Sequence, residues 1–288
     1  MKKRFTLAQV EEMVVTGLML ASALVIAAIL GAILFTVIAK GLPAVNLDML
    51  TQTPQGGYYL GKQGGILNAI VGSLYLAGGG TGLAVIFSVP LVLGLNVYAR
   101  GSRWAEIARM SLDVMWGVPS IVYGAFGLTV MLALGMRASL LAGIVVLALL
   151  ELPILTRAVD ELIRLMPVEL EEAAFAIGAT RLEAAVTVIL RQVLPGLATA
   201  ILLAFGRGIG DAASVLFTAG YTDRLPGGLL SPVASLPLAV FFQLSTPYPE
   251  VQQRGYAAAL ILTVIVLVIS LGSRWLARWL GRYSIKQL

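Results

Sequence analysis

The chain has 288 residues, of which 59% are hydrophobic and 12% charged, with a net charge of +5 and neither cysteine nor histidine. A soluble domain carries roughly 25% charged residues, so this composition cannot clothe a water-facing surface, and its apolar excess must be solvated by lipid. The missing residue types exclude disulfides, thiol nucleophiles, Cys/His zinc sites and imidazole acid–base chemistry.

Residues 1–12 form a basic and polar tip containing Lys2, Lys3 and Arg4, followed by an uncharged run from Met13 to Ala39. A secretory signal core is about 7–15 residues long and a spanning helix takes about 20. The 27-residue run therefore predicts an uncleaved first span. Residues 40–65, rich in Gly, Pro, Thr and Tyr, form a first outside segment. A second uncharged run covers 63–99 and contains Gly78-Gly79-Gly80-Thr81-Gly82. No Gly-Lys-Ser/Thr follows it and no strand precedes it, so it is not a phosphate-cradling loop. Gly78 and Gly82 have the small-xxx-small spacing of close helix packing.

The third run, 114–136, contains Gly117-Val118-Pro119-Ser120, and a proline at that depth predicts a kinked helix. Transporters place such breaks on a substrate path and static bundles contain them too; the residues alone support both readings. The fourth run, 138–156, carries Glu151 near its inner end, where it is expected to meet the interface rather than substrate. Asp113, near the inner end of span three, has Arg109 one turn earlier as its expected partner. A fifth run, 192–222, is interrupted by Arg207 and Asp211, and a sixth covers 255–273. Between them, 225–249 is uncharged but holds Pro226, Gly227, Gly228, Pro232, Pro237, Pro247 and Pro249. That punctuation predicts an extracytoplasmic loop or a short re-entrant piece, with a seventh span as the alternative. The expected fold is an all-α membrane protein of about six transmembrane helices, one domain over 13–285 following the tip.

With six spans and an internal N-terminus, fourteen of the 20 basic residues fall inside and five outside (Lys40, Lys62, Arg137, Arg224 and Arg254), with Arg207 within a span. This is the positive-inside bias. It predicts cytoplasmic N- and C-termini and accounts for the basic charge without a nucleic-acid partner.

The longest internal segment, roughly 157–191, is too polar to span. Pro167 suits a first helical position, and Glu169, Glu171 and Glu172 complement the positive end of a helix dipole. Gly178 offers a stop, and helical character resumes from Arg181 to Leu194. A short helix, a turn and a second helix are expected on the inner face. No Walker A sequence occurs in the chain, so it does not hydrolyse ATP through a P-loop.

Within this segment, Glu172-Ala173-Ala174-x-x-x-Gly178 resembles the EAA signature of binding-protein-dependent ABC importer permeases with the type I (MetI-like) fold. The resemblance implies that Glu171, Glu172, Ala173, Ala174 and Gly178 belong to a coupling helix seated in a cleft of a separate ATPase subunit. The signature continues with Ile-x-Leu-Pro; here Val188-Ile189-Leu190-Arg191 stand at those positions and a proline follows at Pro195.

Arg207 and Asp211, four residues apart, are expected to share one helix face. Charge within a bilayer is costly and usually functional. The residues alone leave two readings: a self-neutralising pair joining spans, or a cation on a translocation path with a carboxylate partner. Arginine's planar fork suits phosphate oxygens.

The stretch 202–220, Leu-Leu-Ala-Phe-Gly-Arg207-Gly-Ile-Gly210-Asp211-Ala-Ala-Ser-Val-Leu-Phe217-Thr218-Ala219-Gly220, is similar to the Arg-x-x-Gly-Glu-Thr-Ala-Pro-Leu-Leu-Phe-Thr-Ala segment of the PstA family of phosphate importer permeases. Residues 118–124, 64–73 and Ser235-Leu236-Pro237 match further segments, so the resemblance covers most of 64–275. This sequence has Asp211 in place of the glutamate and Ala212-Ala213-Ser214 in place of Thr-Ala-Pro. The resemblance implies that Arg207 and Asp211 act in moving phosphate. It further implies a PstC-like second permease subunit, two PstB-like ATPase subunits that use ATP and magnesium, and an extracytoplasmic PstS-like phosphate-binding protein. No cofactor is expected in this chain. The alternatives are a permease for another oxyanion, or a secondary transporter or channel with no ATPase.

Overall fold

The computed structural model describes residues 7–55 and 63–280. Lys2, Lys3, Arg4, Lys62, Arg282 and Lys286 lie outside the described residues, as do the outer limits of the expected tip and domain. Almost everything described is helical. The principal helices are α1 (Leu7–Gly41), α2 (Leu47–Thr51), α3 (Leu67–Leu93, continued by a π-helical turn Gly94–Tyr98), α4 (Arg103–Gly117), α5 (Ser120–Ala133), α6 (Leu140–Arg164) and α7 (Val168–Ala176). A short α8 (Arg181–Glu183) runs through a π-helical stretch, Ala184–Ile189, into α9 (Leu190–Gly210), followed by α10 (Leu236–Leu244) and α11 (Pro249–Leu280). Two-residue strands, Pro54–Gln55 and Gln63–Gly64, pair antiparallel.

Five of these helical segments are long and apolar enough to cross a membrane, and the bent pair α4–α5 makes up to six. Asn46 caps α2, Ser102 caps α4, Ser139 caps α6 and Ser235 caps α10, each side chain accepting from a backbone N–H of the first turn. Three helices, α3, α6 and α9, pack on one another at the centre. In lipid there is no hydrophobic drive between helices, so close backbone approach and van der Waals contact hold them. The glycine run of α3 meets this need at positions other than the expected ones. Nothing lies within 4 Å of a Cβ built at Gly78 or Gly82, whereas one at Gly79 would sit 2.5 Å from Ile144 and one at Gly80 2.9 Å from Leu147. The packing reading holds, and its register shifts to Gly79 and Gly80.

Three further expectations change. The third span is no continuous helix over 114–136: α4 and α5 meet at 101° across Val118-Pro119. Tyr123 Oη braces the bend by donating to the Met115 carbonyl at 2.7 Å. The fifth span stops at Gly210, and 211–235 is irregular. Its backbone is satisfied by protein: Ser139 N–H donates to the Thr218 carbonyl, Leu140 N–H to that of Ser231 and Val233 N–H to that of Ala219. Such backbone is tolerated at membrane depth only when buried in protein. The 225–249 run, finally, holds α10, nine residues long and too short to span. A short helix within an irregular segment, and no seventh span, forms here among the described residues. The segment is strapped to α3, where Leu236 N–H donates to Ser73 Oγ at 2.7 Å. A Cβ at Gly72 would sit 1.9 Å from the Ala234 carbonyl oxygen.

The first span stands apart. From Met13 to Ile33 its apolar side chains are exposed on this chain, a face for lipid or a partner subunit to cover. Its end docks on α11, where Gly41 lies against the Tyr256 carbonyl and Lys40 Nζ sits 4.9 Å from the Tyr256 ring centroid.

Candidate functional site

Arg207 lies in the last turn of α9, and Asp211 is the residue that ends it, with extended backbone (φ −82°, ψ 119°). The four-residue spacing therefore does not place both on one helix face. Asp211 instead closes the following turn, its Oδ1 accepting from Ser214 N–H at 2.8 Å. A proline at position 214 has no N–H to give, so the aspartate and the serine form one local unit. Arg207 makes no ion pair among the described residues. Its exposed side chain lines an apolar cavity of about 510 Å³ with Ile154, Leu155, Ala158 and Leu203 of α6 and α9.

Glu151 is not at an interface with water. It is fully buried on α6 and makes no ion pair among the described residues. The buried Thr81 hydroxyl of α3 is beside it, and the charges that act on it are those of Arg207 and Asp211. On α9, a Cβ at Gly208 would sit 2.1 Å from Glu151 Oε1. The three central helices thus bring Glu151, Thr81, Arg207 and Asp211 into one neighbourhood, of which sequence spacing had assembled only the last two.

At one end of the bundle, residues 165–180 separate the two long helices, because α6 continues to Arg164 and helix resumes at Arg181. Pro167 is the residue before the first helical position of α7, one earlier than expected. Glu169 and Glu171 stand in the first turn, where the dipole favours them. Gly178 ends the helix with φ +86°, the left-handed conformation a glycine stop supplies. Thr180 then opens α8 with a capping box, its hydroxyl accepting from Glu183 N–H while the Glu183 carboxylate accepts from Thr180 N–H. Threonine followed three residues later by glutamate is the sequence signal for this feature.

The EAA residues divide by environment. Glu172 and Ala173 are exposed and Ala174 is buried. Glu171 is turned inward, paired with Arg100 at 2.8 Å. Phe175, Ile177 and Leu182 are exposed apolar groups around the turn, Ile177 at 87%. They surround Glu172 with apolar surface of the kind a protein partner covers.

Behind α7, Asp160 accepts from Arg109 Nε at 3.0 Å and Nη2 at 3.1 Å, and from Asn96 Nδ2 at 2.6 Å. Arg164 Nε adds a second ion pair at 3.0 Å. The expected Arg109–Asp113 pair is not formed; Asp113 accepts from Arg157 at 2.9 Å. Local helix spacing suggested one partner, and packing of α4 on α6 supplied a better-shielded one.

The fold is the one shared by membrane chains of ABC importers. A transmembrane chain of a bacterial alginate ABC transporter, crystallised with its alginate pentasaccharide-bound periplasmic protein, superposes with a TM-score of 0.64 at 13% identity, covering 96% of this chain and 97% of that one. A chain of the MetNI methionine ABC transporter, in inward-facing conformations, superposes with a TM-score of 0.59 at 20% identity, covering 74% and 94%. Sequence narrows the assignment. The profile of the binding-protein-dependent transport system inner membrane components matches residues 80–284. The phosphate transport system permease protein PstA of Haemophilus influenzae is 34% identical over 243 residues, 84% of this chain and 85% of that protein. The PstA of Xylella fastidiosa is 36% identical over 247 residues, 84% and 83%. The chain belongs to the family of binding-protein-dependent transport system inner membrane components and, within it, to the PstA permeases. It is accordingly a multi-pass inner-membrane protein, and ATP hydrolysis belongs to partner subunits rather than to this chain.

Proposed function

We propose that the chain is the transmembrane permease subunit of an ATP-driven importer that moves inorganic phosphate across the cytoplasmic membrane by alternating access. The observation that carries this reading is similarity along most of the chain to phosphate transport permeases. It is supported by an arginine with no ion pair among the described residues at the end of a central helix. No covalent chemistry takes place in this subunit. Its task is differential: docked ATPases and a docked binding protein must favour different arrangements of the bundle, or hydrolysis is not coupled to movement.

In this reading Arg207 supplies the cation that meets phosphate oxygens, and Asp211 fixes the turn that places it. Glu172, Ala173, Ala174 and Gly178 form the surface that enters the ATPase cleft, while Glu171 holds that surface to the bundle through Arg100. The basic residues on the α7 side support cytoplasmic termini. The partners are a PstC-like permease, two PstB-like ATPases, which hold the ATP and magnesium, and a PstS-like binding protein. Replacing Arg207 with Gln tests the substrate role: phosphate uptake should be lost, and undiminished uptake overturns it. Glu172→Ala combined with a bulky residue at Gly178 tests coupling: uptake that survives both overturns it.

A further inference from the structure

Glu151 is the side chain this mechanism leaves unused. In a bundle within lipid, a buried carboxyl with a single hydroxyl, that of Thr81, beside it and no ion pair is expensive. Each such group in a folded protein calls for a reason. Here the surroundings are specific. Gly208 brings the α9 backbone directly against Glu151 Oε1, Arg207 is the preceding residue on that helix, and Arg207 makes no ion pair among the described residues. One residue along an α-helix is about 100° around its axis, and the long arginine stem shortens the rotation needed. The helix is also built to move: between α7 and Arg207 it contains the π-helical stretch Ala184–Ile189 and Pro195, the features at which helices bend and shift register.

We propose that Glu151 is the counter-charge that Arg207 takes up in the alternate arrangement of the bundle, displacing the bound oxyanion from the guanidinium. The inference rests on the role of Arg207 given above. A transport site must bind well enough to load and weakly enough to release. A fixed arginine meeting a phosphate-class anion in low dielectric satisfies the first condition and strains the second. Glu151 resolves this by competing with the anion for Arg207 once α9 turns. The charged groups facing Glu151 are then Arg207 and Asp211 from α9 and its end, with the Thr81 hydroxyl from α3. Asp211 is already committed to the Ser214 amide, which leaves Glu151 as the acid available for the exchange.

The test is Glu151→Gln in the complete transporter, a near-isosteric change that leaves no acid able to pair with Arg207. Radiolabelled phosphate is the probe, with uptake into proteoliposomes per assembled complex and phosphate retained by purified complex as readouts. An ion pair formed at contact in a partly exposed site alters anion affinity by at least about tenfold. Maximal uptake should fall by about that factor while retained phosphate rises. Unchanged uptake and retention would overturn the proposal, because a neutral side chain would then suffice. A fall in both would overturn it as well, by indicating damaged packing. Glu151→Met is the second variant and should give the same opposed changes; failure of both to assemble, while Glu151→Asp assembles and transports normally, assigns a structural role and overturns the proposal. Arg207→Gln separates the two ideas. If it abolishes uptake while Glu151→Gln is silent, only the exchange fails; if it transports normally, the substrate role of Arg207 fails first.

Discussion

Gly178 offers a clean perturbation, because its requirement is conformational and not steric. Its φ is +86°, yet a Cβ built there meets nothing within 4 Å. Substitution therefore strains the backbone without creating a clash inside this chain. The left-handed region costs an ordinary L-residue about 1–2 kcal/mol, with Asn penalised less and a β-branched residue more. That sum matters at this position because α7 has nine residues, and isolated helices shorter than about 12–15 are marginal. Its end is held by Gly178 N–H donating to the Phe175 carbonyl at 3.0 Å and Ala179 N–H to that of Ala174 at 3.1 Å. A penalty of about 1–2 kcal/mol changes the population of the intact turn by a factor of roughly 5–30. Binding-protein-stimulated ATP hydrolysis per assembled complex should therefore fall in the order Gly, Asn, Ala, Val at position 178. Full stimulation in Gly178→Val would refute the conformational argument. An Asn variant as inactive as Val would also refute it, since side-chain volume against the ATPase would then be the determinant.

Other consequences follow from the polar contacts. Exchanging the charges of the Arg100–Glu171 pair one at a time, as Arg100→Glu or Glu171→Arg, should uncouple ATP hydrolysis from uptake, and the double exchange should restore it; additive losses would deny the pair a role in transmission. Asp160→Asn should destabilise the detergent-solubilised complex by about 2 kcal/mol, below the cost of breaking a fully buried pair because Arg109 is partly exposed. Asp113→Asn, in an exposed pair, should cost less than about 1 kcal/mol, and equal shifts in the thermal midpoints would contradict the distinction. Ser214→Pro should lower phosphate uptake by removing a charge-assisted hydrogen bond worth about 1.5–3 kcal/mol. Asp211→Glu combined with Ser214→Pro should transport better than either single variant, and a double variant worse than both would sever the two positions.

Composition and uncharged run lengths predicted the bundle because lipid imposes those features directly on sequence. Gly178 was legible as a stop for the same kind of reason: a helix end has a local chemical signature. The breaks were partly legible. Pro119 announced a kink, but the 101° turn depends on how α4 and α5 pack. Hydropathy carried the fifth span through to residue 222, because an apolar loop buried in protein reads like a helix buried in lipid. The site was half legible. Arg207 and Asp211 stood out as charges within an apolar run, whereas Glu151 looked like an interfacial residue near a span's end. Only the close approach of α9 at Gly208 shows that it is sealed inside. Arg109–Asp160 and Arg100–Glu171 are separated by 51 and 71 positions, beyond what local spacing can pair.

The central claim is that this subunit turns ATP hydrolysis by its partners into phosphate movement through Arg207. The direct measurement is radiolabelled phosphate uptake into proteoliposomes holding the subunit with its second permease, ATPase and binding protein, using wild type and Arg207→Gln side by side. Wild type should accumulate phosphate only when ATP and loaded binding protein are both present, and the variant should not accumulate it. Uptake driven by an ion gradient without ATP, or undiminished in the variant, would contradict the account.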